Sequence, residues 1–307
     1  MTDYAVETAD LSKTFPGGVV AVNGLDLRIP RGAVYGLIGR NGAGKTTAIR
    51  LMMGLLRPNG GEARILAESM WTAAPEHRAR VAYVAQEQRI PDWMTTEELC
   101  TWLGHFYAKW DAAYARDLAG RFGLAWDRQV GVMSGGERRK VAVLLAFAAR
   151  PDVLLLDEPA AGLDPIARRE LIDEIINVIT SIDGCTVLLS THIISDLERI
   201  AEYIGIIDRG RIVTEAKLED LRDRTKRVQI VFDGDGVPES LKIPGAIRTR
   251  IEGPVVTAVV QIVSDNQFDE LRKIPGVRLN VFPLSLEDIF IDLFGPASRE
   301  EFSEEIG

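Results

Sequence analysis

The sequence predicts an α/β fold with a mixed sheet core, followed by a small α+β domain. Two apolar runs, VLLLD and TVLLS, are typical of parallel strands covered on both faces. They alternate with helical segments, one of them over about 165–182. After about residue 215 the elements follow the order β-α-β-β-α-β, as in a ferredoxin-like domain. We therefore expect one domain over 1–214 and an accessory domain over 215–307.

The elements of both domains can be placed in order along the chain. The first 90 residues hold the β-type runs YAVETAD, LDLRI, AVYGLIG and RVAYVAQ, with the helical segment KTTAIRLMMGLL among them. A helical subdomain follows over about 87–150, and YIGIIDRGRIV returns to strand. In the second domain we expect helices at PESLK, NQFDELRKI and SLEDIFIDLFG, with strands between the first two, and then an acidic tail, SREEFSEEIG.

Charge and hydropathy narrow the class of protein. The 307 residues carry a net charge of −9, so we expect no nucleic-acid partner, which would require a basic face. The longest uninterrupted apolar run, Val141–Ala149, is far shorter than the roughly 18–20 residues of a membrane-spanning helix. The N-terminus has no signal-peptide pattern, and the two cysteines have no metal or redox spacing. These features predict a protein of the cytoplasm.

A glycine-rich loop indicates a nucleotide site. GRNGAGKTT matches the pattern G-x-x-x-x-G-K-[ST] between an apolar strand and a helix. Lys45 is expected to reach the β- and γ-phosphates of a bound nucleotide, and the Thr46 hydroxyl to bind Mg²⁺. A glycine turn that only caps a helix is the alternative, but the strand–loop–helix context favours the phosphate loop. Backbone N–H groups then surround the phosphates from Gly39, Arg40, Asn41, Gly42, Ala43, Gly44 and Thr47.

Two adjacent acids end a buried strand. In PDVLLLDEP, Asp157 closes the strand and Glu158 follows it. The carboxyl ends of parallel strands border the ligand crevice of such sheets, so Asp157 is expected to hold Mg²⁺ and Glu158 to polarise water. Two solvated acids at a strand end would be the better explanation if the phosphate loop were absent.

The segment MSGGERRK, residues 133–140, begins a helix in an unusual way. Ser134 and Glu137 fit the S-x-x-E capping box. A capping box has no need of Gly135 and Gly136, which weaken the first helical turn. Their presence makes sense if a phosphate held by another molecule approaches those N–H groups. We expect RRK, residues 138–140, to form a solvated face of the helix, with direct phosphate binding as the weaker alternative.

Taken together, residues 4–214 resemble the ATP-binding cassette (ABC) proteins. MSGGE is similar to their LSGGQ signature, with Met133 and Glu137 as common variants. The resemblance implies an adenine-stacking aromatic, a Q-loop glutamine that contacts Mg²⁺ and the transport partner, a D-loop aspartate at a dimer interface and a switch histidine. In this sequence those residues are Phe15, Gln86, Asp164 and His192. It also implies that Glu158, His192 and Gln86 are the catalytic residues.

The resemblance further implies an ATPase that sandwiches two ATP molecules between two cassettes, either as a homodimer or as a heterodimer. Transport would require separate transmembrane permease subunits at the cytoplasmic face of the cell membrane. The single cassette and the SLEDIF ending resemble the branch that powers export and resistance systems. One alternative is a soluble ABC-type ATPase acting on DNA or ribosomes, although no coiled coil interrupts this cassette and no second cassette follows. A small-molecule kinase is the other, but it leaves MSGGE unexplained.

An aromatic cluster follows Gln86. Trp93, Trp102 and Trp110 lie close together in sequence with Phe106 and Tyr107. The spacing of four from Trp102 to Phe106 to Trp110 predicts one helix face. The cluster is either the core of the helical subdomain or the edge of a groove for a partner's cytoplasmic helix. The sequence favours neither reading.

Overall fold

The structure is a computed structural model that describes residues 3–181, 184–234, 237–238, 241–264 and 266–294. The chain divides into two compact units between Glu215 and Ala216. Each unit has a hydrophobic core of its own. The acidic tail and part of the predicted PESLK helix lie outside the described residues.

The first unit combines strands and helices as an α/β fold. Its strands are β1 (Tyr4–Phe15), β2 (Val19–Pro30), β3 (Val34–Ile38), β4 (Gly60–Ile65), β5 (Val81–Val84), β6 (Val153–Asp157), β7 (Thr186–Thr191), β8 (Tyr203–Asp208) and β9 (Arg211–Lys217). Its helices are α1 (Lys45–Met52), α2 (Pro75–Arg78), α3 (Thr96–Gly104), α4 (Ala112–Arg121), α5 (Gly135–Ala148), α6 (Pro165–Ser181) and α7 (Ile194–Leu197).

A six-stranded sheet runs through the first unit in the order β5-β6-β7-β3-β8-β9. The pairs β5–β6, β6–β7, β7–β3 and β3–β8 are parallel. Every residue of β3, β6 and β7 is buried, as their continuous apolar sequences require. Because these strands run the same way, the segments after Ile38, Asp157 and Thr191 meet at one edge.

A second sheet is antiparallel and has the order β2-β1-β4. Its buried residues Leu11, Leu25 and Ile65 join one core with Tyr35, Leu155 and other residues of the parallel sheet. The core is therefore of mixed strand direction, as the sequence predicts. The strand β4 was not among the predicted elements.

The helical subdomain consists of α3, α4 and α5, which pack against one another. Helix α3 begins at a capping box formed by Thr95 and Glu98 and ends at Gly104. Phe106 and Trp110 therefore lie beyond the helix, and the prediction that they share one helix face with Trp102 is wrong. Helix α5 is buried on all sides from residue 141 to 148, which its apolar sequence requires.

The second unit is a four-stranded antiparallel sheet with helices. Its elements are α8 (Leu218–Arg224), β10 (Thr225–Phe232), β11 (Ala246–Glu252), β12 (Val255–Gln261), α9 (Asp269–Arg272), β13 (Val277–Pro283) and α10 (Leu286–Phe294). In the order β11-β12-β10-β13, β12 lies between β10 and β11, and β10 lies between β12 and β13, which is the strand order of a ferredoxin-like domain. Among the described residues, the connection from β10 to β11 contains no helix. Helix α9 is shorter than the predicted NQFDELRKI helix. None of the described helices is long and apolar enough to cross a membrane.

Candidate nucleotide-binding site

The phosphate loop joins β3 to α1 at the edge where the parallel strands end. Gly44 caps α1 with φ 108°, a left-handed conformation. A Cβ on Gly44 would stand 2.3 Å from the Ala21 carbonyl oxygen, and one on Gly39 would stand 2.6 Å from the Ile207 carbonyl oxygen. Glycine is therefore required at both positions. The loop borders an open cavity of about 230 Å³, lined by Ala21, Arg40, Asn41, Gly42, Ala43, Gly44, Lys45, Thr46, Thr47, Gln86 and Glu158.

Lys45 places a buried positive charge at the floor of this cavity. Its Nζ donates a hydrogen bond to the Gly39 carbonyl oxygen at 2.6 Å. The same atom lies 3.1 Å from Glu158 Oε1, outside hydrogen-bond geometry, and both side chains are less than 10% exposed. Burial of the Lys45 ammonium and the Glu158 carboxylate is tolerated because these opposite charges lie next to each other.

Asp157 is a buried acceptor at the end of β6. Its Oδ1 accepts hydrogen bonds from Ser190 Oγ at 2.7 Å and from Thr46 Oγ1 at 3.1 Å. Its Oδ2 accepts from the Tyr83 hydroxyl at 3.4 Å. Burial, followed by the negative charge of Asp157, raises the pKa of Tyr83 to about 12, so this hydroxyl stays a donor.

Hard oxygen donors converge beside Thr46. Thr46 Oγ1 lies 3.1 Å from the Asp157 carboxylate and 3.5 Å from Gln86 Oε1. Hydroxyl, carboxylate and amide oxygens are ligands that suit Mg²⁺, which binds through one or two protein groups plus phosphates and water. The donor set therefore fits this ion.

Glu158 follows β6 in a left-handed conformation, with φ 49°. This is uncommon for a residue with a side chain, and strained backbone conformations cluster at functional sites. The Glu158 amide donates to Ser190 O at 3.0 Å and lies 3.2 Å from Ser190 Oγ. Its Oε2 accepts from His192 Nδ1 at 2.8 Å. The fold thus brings Lys45, Asp157, Glu158 and His192 together from distant parts of the sequence.

The signature segment forms the capping box that the sequence predicts. Glu137 N donates to Ser134 Oγ at 3.2 Å, and Ser134 N donates to Glu137 Oε2 at 2.7 Å. The hydrogen bond from the Ser134 amide lowers the pKa of Glu137. Within the described residues, no atom lies within 4 Å of a Cβ built on Gly135, and the nearest to one on Gly136 is a Leu163 methyl at 3.5 Å. Packing inside this chain therefore does not require glycine at 135.

Several predicted site residues lie outside the lining of the phosphate cavity. Phe15 is 37% exposed at the end of β1, with Lys13 Nζ 5.7 Å from its ring centroid. Asp164 caps α6, because its Oδ1 accepts from the amides of Ile166 and Ala167 at 3.0 Å. The described residues lining the cavity also do not include Ser134 or its neighbours 135–137. Among the described residues, neither Phe15 nor the signature tip lines the phosphate cavity of the same chain.

The RRK segment is a solvated face only in part: Arg138 is exposed, whereas Arg139 and Lys140 are half-buried. Arg139 is half-buried and donates to the carbonyl oxygens of Ala85, Gln86 and Ala161. Arg138 donates to Met133 O and Gly131 O, and Lys140 to Phe122 O. The spacing of residues along α5 could not predict these hydrogen bonds, because every acceptor is a backbone carbonyl oxygen outside the helix.

The aromatic cluster after Gln86 is largely exposed. Trp93, Trp102 and Phe106 are 74%, 50% and 60% exposed, so these three rings are not the core of the helical subdomain. Trp102 and Phe106 stack edge to face, with ring centroids 5.3 Å apart. Tyr107 and Trp110 are partly buried.

The glycine loop at a helix start, together with a carboxylate pair at the end of the parallel strand β6, defines a nucleoside triphosphatase of the phosphate-loop class. The ABC transporter family model matches residues 22–161. Nod factor export ATP-binding protein I of Cupriavidus pinatubonensis is 35% identical, over 92% of this chain and 89% of that protein. The chain belongs to the ABC transporter family, and it is an ATP-hydrolysing subunit of that family.

Comparisons with a second relative and with a solved structure support the same family assignment. The daunorubicin/doxorubicin resistance ATP-binding protein DrrA of Streptomyces peucetius is 37% identical, over 98% of this chain and 96% of that protein. A solved structure of an ATP-binding subunit of an ABC transporter superimposes with a TM-score of 0.63 at 29% identity, covering 71% of this chain and 92% of that one. The predicted family, fold class and ATPase activity are confirmed.

Proposed function

We propose that this ATPase drives export through separate transmembrane permease subunits at the cytoplasmic face of the cell membrane. The names of the relatives, a Nod factor export protein and a drug resistance protein, support the direction of transport. In this proposal residues 1–214 form the nucleotide-binding domain and 215–307 an accessory domain. The observation that carries the mechanism is that the two half-sites are separate in one copy of the chain. The phosphate loop lines its cavity, and among the described residues the signature tip, residues 134–137, does not line that cavity.

In the proposed site, Lys45 and the N–H groups of residues 39–47 bind the β- and γ-phosphates of ATP. Glu158 lies beside Lys45, so an incoming phosphate would take over that positive charge and leave the carboxylate free. Thr46, Asp157 and Gln86 would hold Mg²⁺, which neutralises charge on the phosphate oxygens when it is bound. Ser190 and Tyr83 keep Asp157 oriented through their hydroxyl groups.

Glu158 is the proposed group that polarises the attacking water. A carboxylate near the γ-phosphate accepts a hydrogen bond from that water and so directs its lone pair at phosphorus. His192 holds the other carboxylate oxygen through Nδ1 at 2.8 Å, which restricts the rotation of Glu158. His192 is 40% exposed, so its ring is accessible to bound nucleotide.

Two copies of this chain are proposed to complete each other's sites. Gly135 and the capped N-terminus of α5 would approach the γ-phosphate held by the second copy, where N–H groups and the helix dipole favour an anion. The open space around Gly135 supports this reading. Phe15 would stack on adenine, and Asp164 would lie near the interface. A homodimer is supported because the chain carries both half-sites intact.

The exposed rings Trp93, Trp102 and Phe106 are the proposed contact with the permease. Exposed aromatic residues are frequent anchors in interfaces, and these three lie in the segment that comes after Gln86 in sequence. The test is to co-express the chain with the membrane protein encoded beside its gene and to purify the complex. Trp102→Asp should lose the complex, whereas Trp71→Asp, at a ring 49% exposed elsewhere, should retain it.

Reconstitution of the purified complex in vesicles tests export itself. ATP added on the cassette side should drive a substrate to the opposite side, and Glu158→Gln should abolish that movement. ATP-dependent binding of the chain to DNA or ribosomes, with no membrane complex, would contradict the proposal.

A further inference from the structure

Arg139 joins three segments of the first unit through one guanidinium group. Its Nη1 donates to the carbonyl oxygens of Gln86 at 2.6 Å and of Ala85 at 3.2 Å. Its Nη2 donates to the carbonyl oxygen of Ala161 at 3.3 Å. The two nitrogens of one planar fork therefore hold two different loops.

Both loops belong to the nucleotide site. The first contains Gln86, whose amide oxygen lies 3.5 Å from Thr46 Oγ1. The second is the turn that follows Glu158, in which Ala161 N donates to the Glu158 carbonyl oxygen at 3.0 Å. If either loop moved away from Arg139, the residue that it carries at the reacting phosphate, Gln86 or Glu158, would move with it.

Arg139 also ties these loops to the signature. It lies one helical turn after Gly135, on a helix whose buried residues 141–148 fix its position in the core. Burial lowers the pKa of the Arg139 guanidinium and the nearby Asp157 charge raises it, and an arginine keeps its proton under such conditions. Lysine offers a single nitrogen, so it cannot reproduce a fork that spans two loops.

We propose that Arg139 is a positioning residue that holds the Gln86 loop and the turn after Glu158 in fixed register with the signature helix, so that turnover depends on its two-nitrogen fork. This inference rests on the proposed roles of Gln86 and Glu158. Two simpler roles make different predictions: a counter-charge for Asp157 requires only a positive charge, and a purely structural role acts through the stability of the fold.

The test compares ATP turnover in Arg139→Ala, Arg139→Lys and the control Arg121→Ala. Arg121 pairs with Glu174 at 2.8 Å on other helices and contacts neither loop. We expect kcat to fall about tenfold or more in both Arg139 variants, because small displacements of reacting groups have effects of this size. KM for ATP should change less than about twofold, since Arg139 does not line the phosphate cavity. Arg121→Ala should keep wild-type kcat.

Folding is measured separately on every variant, by thermal melting and by the affinity for a fluorescent ATP analogue. The proposal expects both to stay close to wild type in Arg139→Lys while kcat falls. Wild-type kcat in Arg139→Lys would show that charge alone is sufficient and would overturn the proposal. A fall in kcat that only follows a fall in the melting temperature or in analogue affinity would also overturn it.

A double-mutant cycle with Gln86→Ala separates the inference from the proposed function. If Arg139 acts through the Gln86 loop, its removal in the Gln86→Ala background should lower kcat by a clearly smaller factor than in wild type. An undiminished factor would overturn the inference. Wild-type turnover in Gln86→Ala would refute the proposed role of Gln86. Reduced turnover in Gln86→Ala together with wild-type turnover in Arg139→Ala would refute this inference and leave the proposed function intact.

Discussion

Replacing Gly135 by aspartate separates the stability of the signature helix from its proposed role. Gly135 is the first residue of α5, and its Cβ position is open among the described residues. Aspartate has a better helix propensity than glycine, and an acid in the first turn contributes about 0.3–1 kcal/mol. The free energy of unfolding should therefore stay equal or rise by up to about 1 kcal/mol, which raises Tm by roughly 2–4 °C in a unit of this size.

ATP turnover of Gly135→Asp should fall, although its stability is equal to or higher than that of the wild type. A carboxylate about 5 Å from a phosphate charge, at an effective dielectric constant near 20, is repelled by about 3 kcal/mol. That energy corresponds to about a hundredfold lower rate. The assay pairs thermal melting with steady-state release of inorganic phosphate, and Gly120→Asp, at an exposed position of α4 with open space at its Cβ, controls for the added charge. A stable Gly135→Asp protein with wild-type turnover would refute the reasoning.

Three further predictions address the same site. Glu158→Gln should bind ATP and accumulate as a dimer in size-exclusion chromatography while kcat falls about 10²- to 10⁴-fold; unchanged turnover would contradict the assignment. Ser190→Ala removes the 2.7 Å donor to buried Asp157 and should lower the free energy of unfolding by about 2 kcal/mol, seen as a Tm lower by roughly 4–8 °C; an unshifted melt would argue against that bond. The lowered pKa of Glu137 means that its contribution to stability is present above the ordinary glutamate value of about 4.3 and is lost as pH falls through the lower folded value. Melting curves of wild type and Glu137→Gln should therefore differ at neutral pH and converge in acid, and a constant gap would contradict this origin.

The parts of the fold that sequence predicts are those with a local cause. The buried strands β6 and β7 are continuous apolar runs, and the start of α5 is set by the reciprocal bonds of Ser134 and Glu137. The strand β4 has no such signal, because GGEARI becomes a strand only by pairing with β1. The sequence also does not indicate that α3 ends at Gly104, because the four-residue spacing of the aromatic residues continues past that position.

The candidate site divides in the same way. The loop residues could be predicted because phosphate binding demands them at a fixed spacing. The pair Asp157–Glu158 could be predicted because it closes a continuous apolar strand. Ser190 was missed although it lies two residues before His192, since its role depends on the parallel register that sets it opposite Asp157. Arg139 was missed because its partners are backbone carbonyls far away in sequence. Contacts that depend on tertiary register leave no periodic pattern to find.

The most direct test of the account mixes two inactive variants. Lys45→Ala loses the phosphate loop of its own copy but keeps the signature, and Gly135→Asp loses the signature but keeps the loop. If each signature completes the site of the other copy, mixed dimers contain one intact site, and turnover should recover to as much as about a quarter of wild type. If the mixture stays as inactive as its two components, the signature and the phosphate loop do not meet across two copies, and the central claim is wrong.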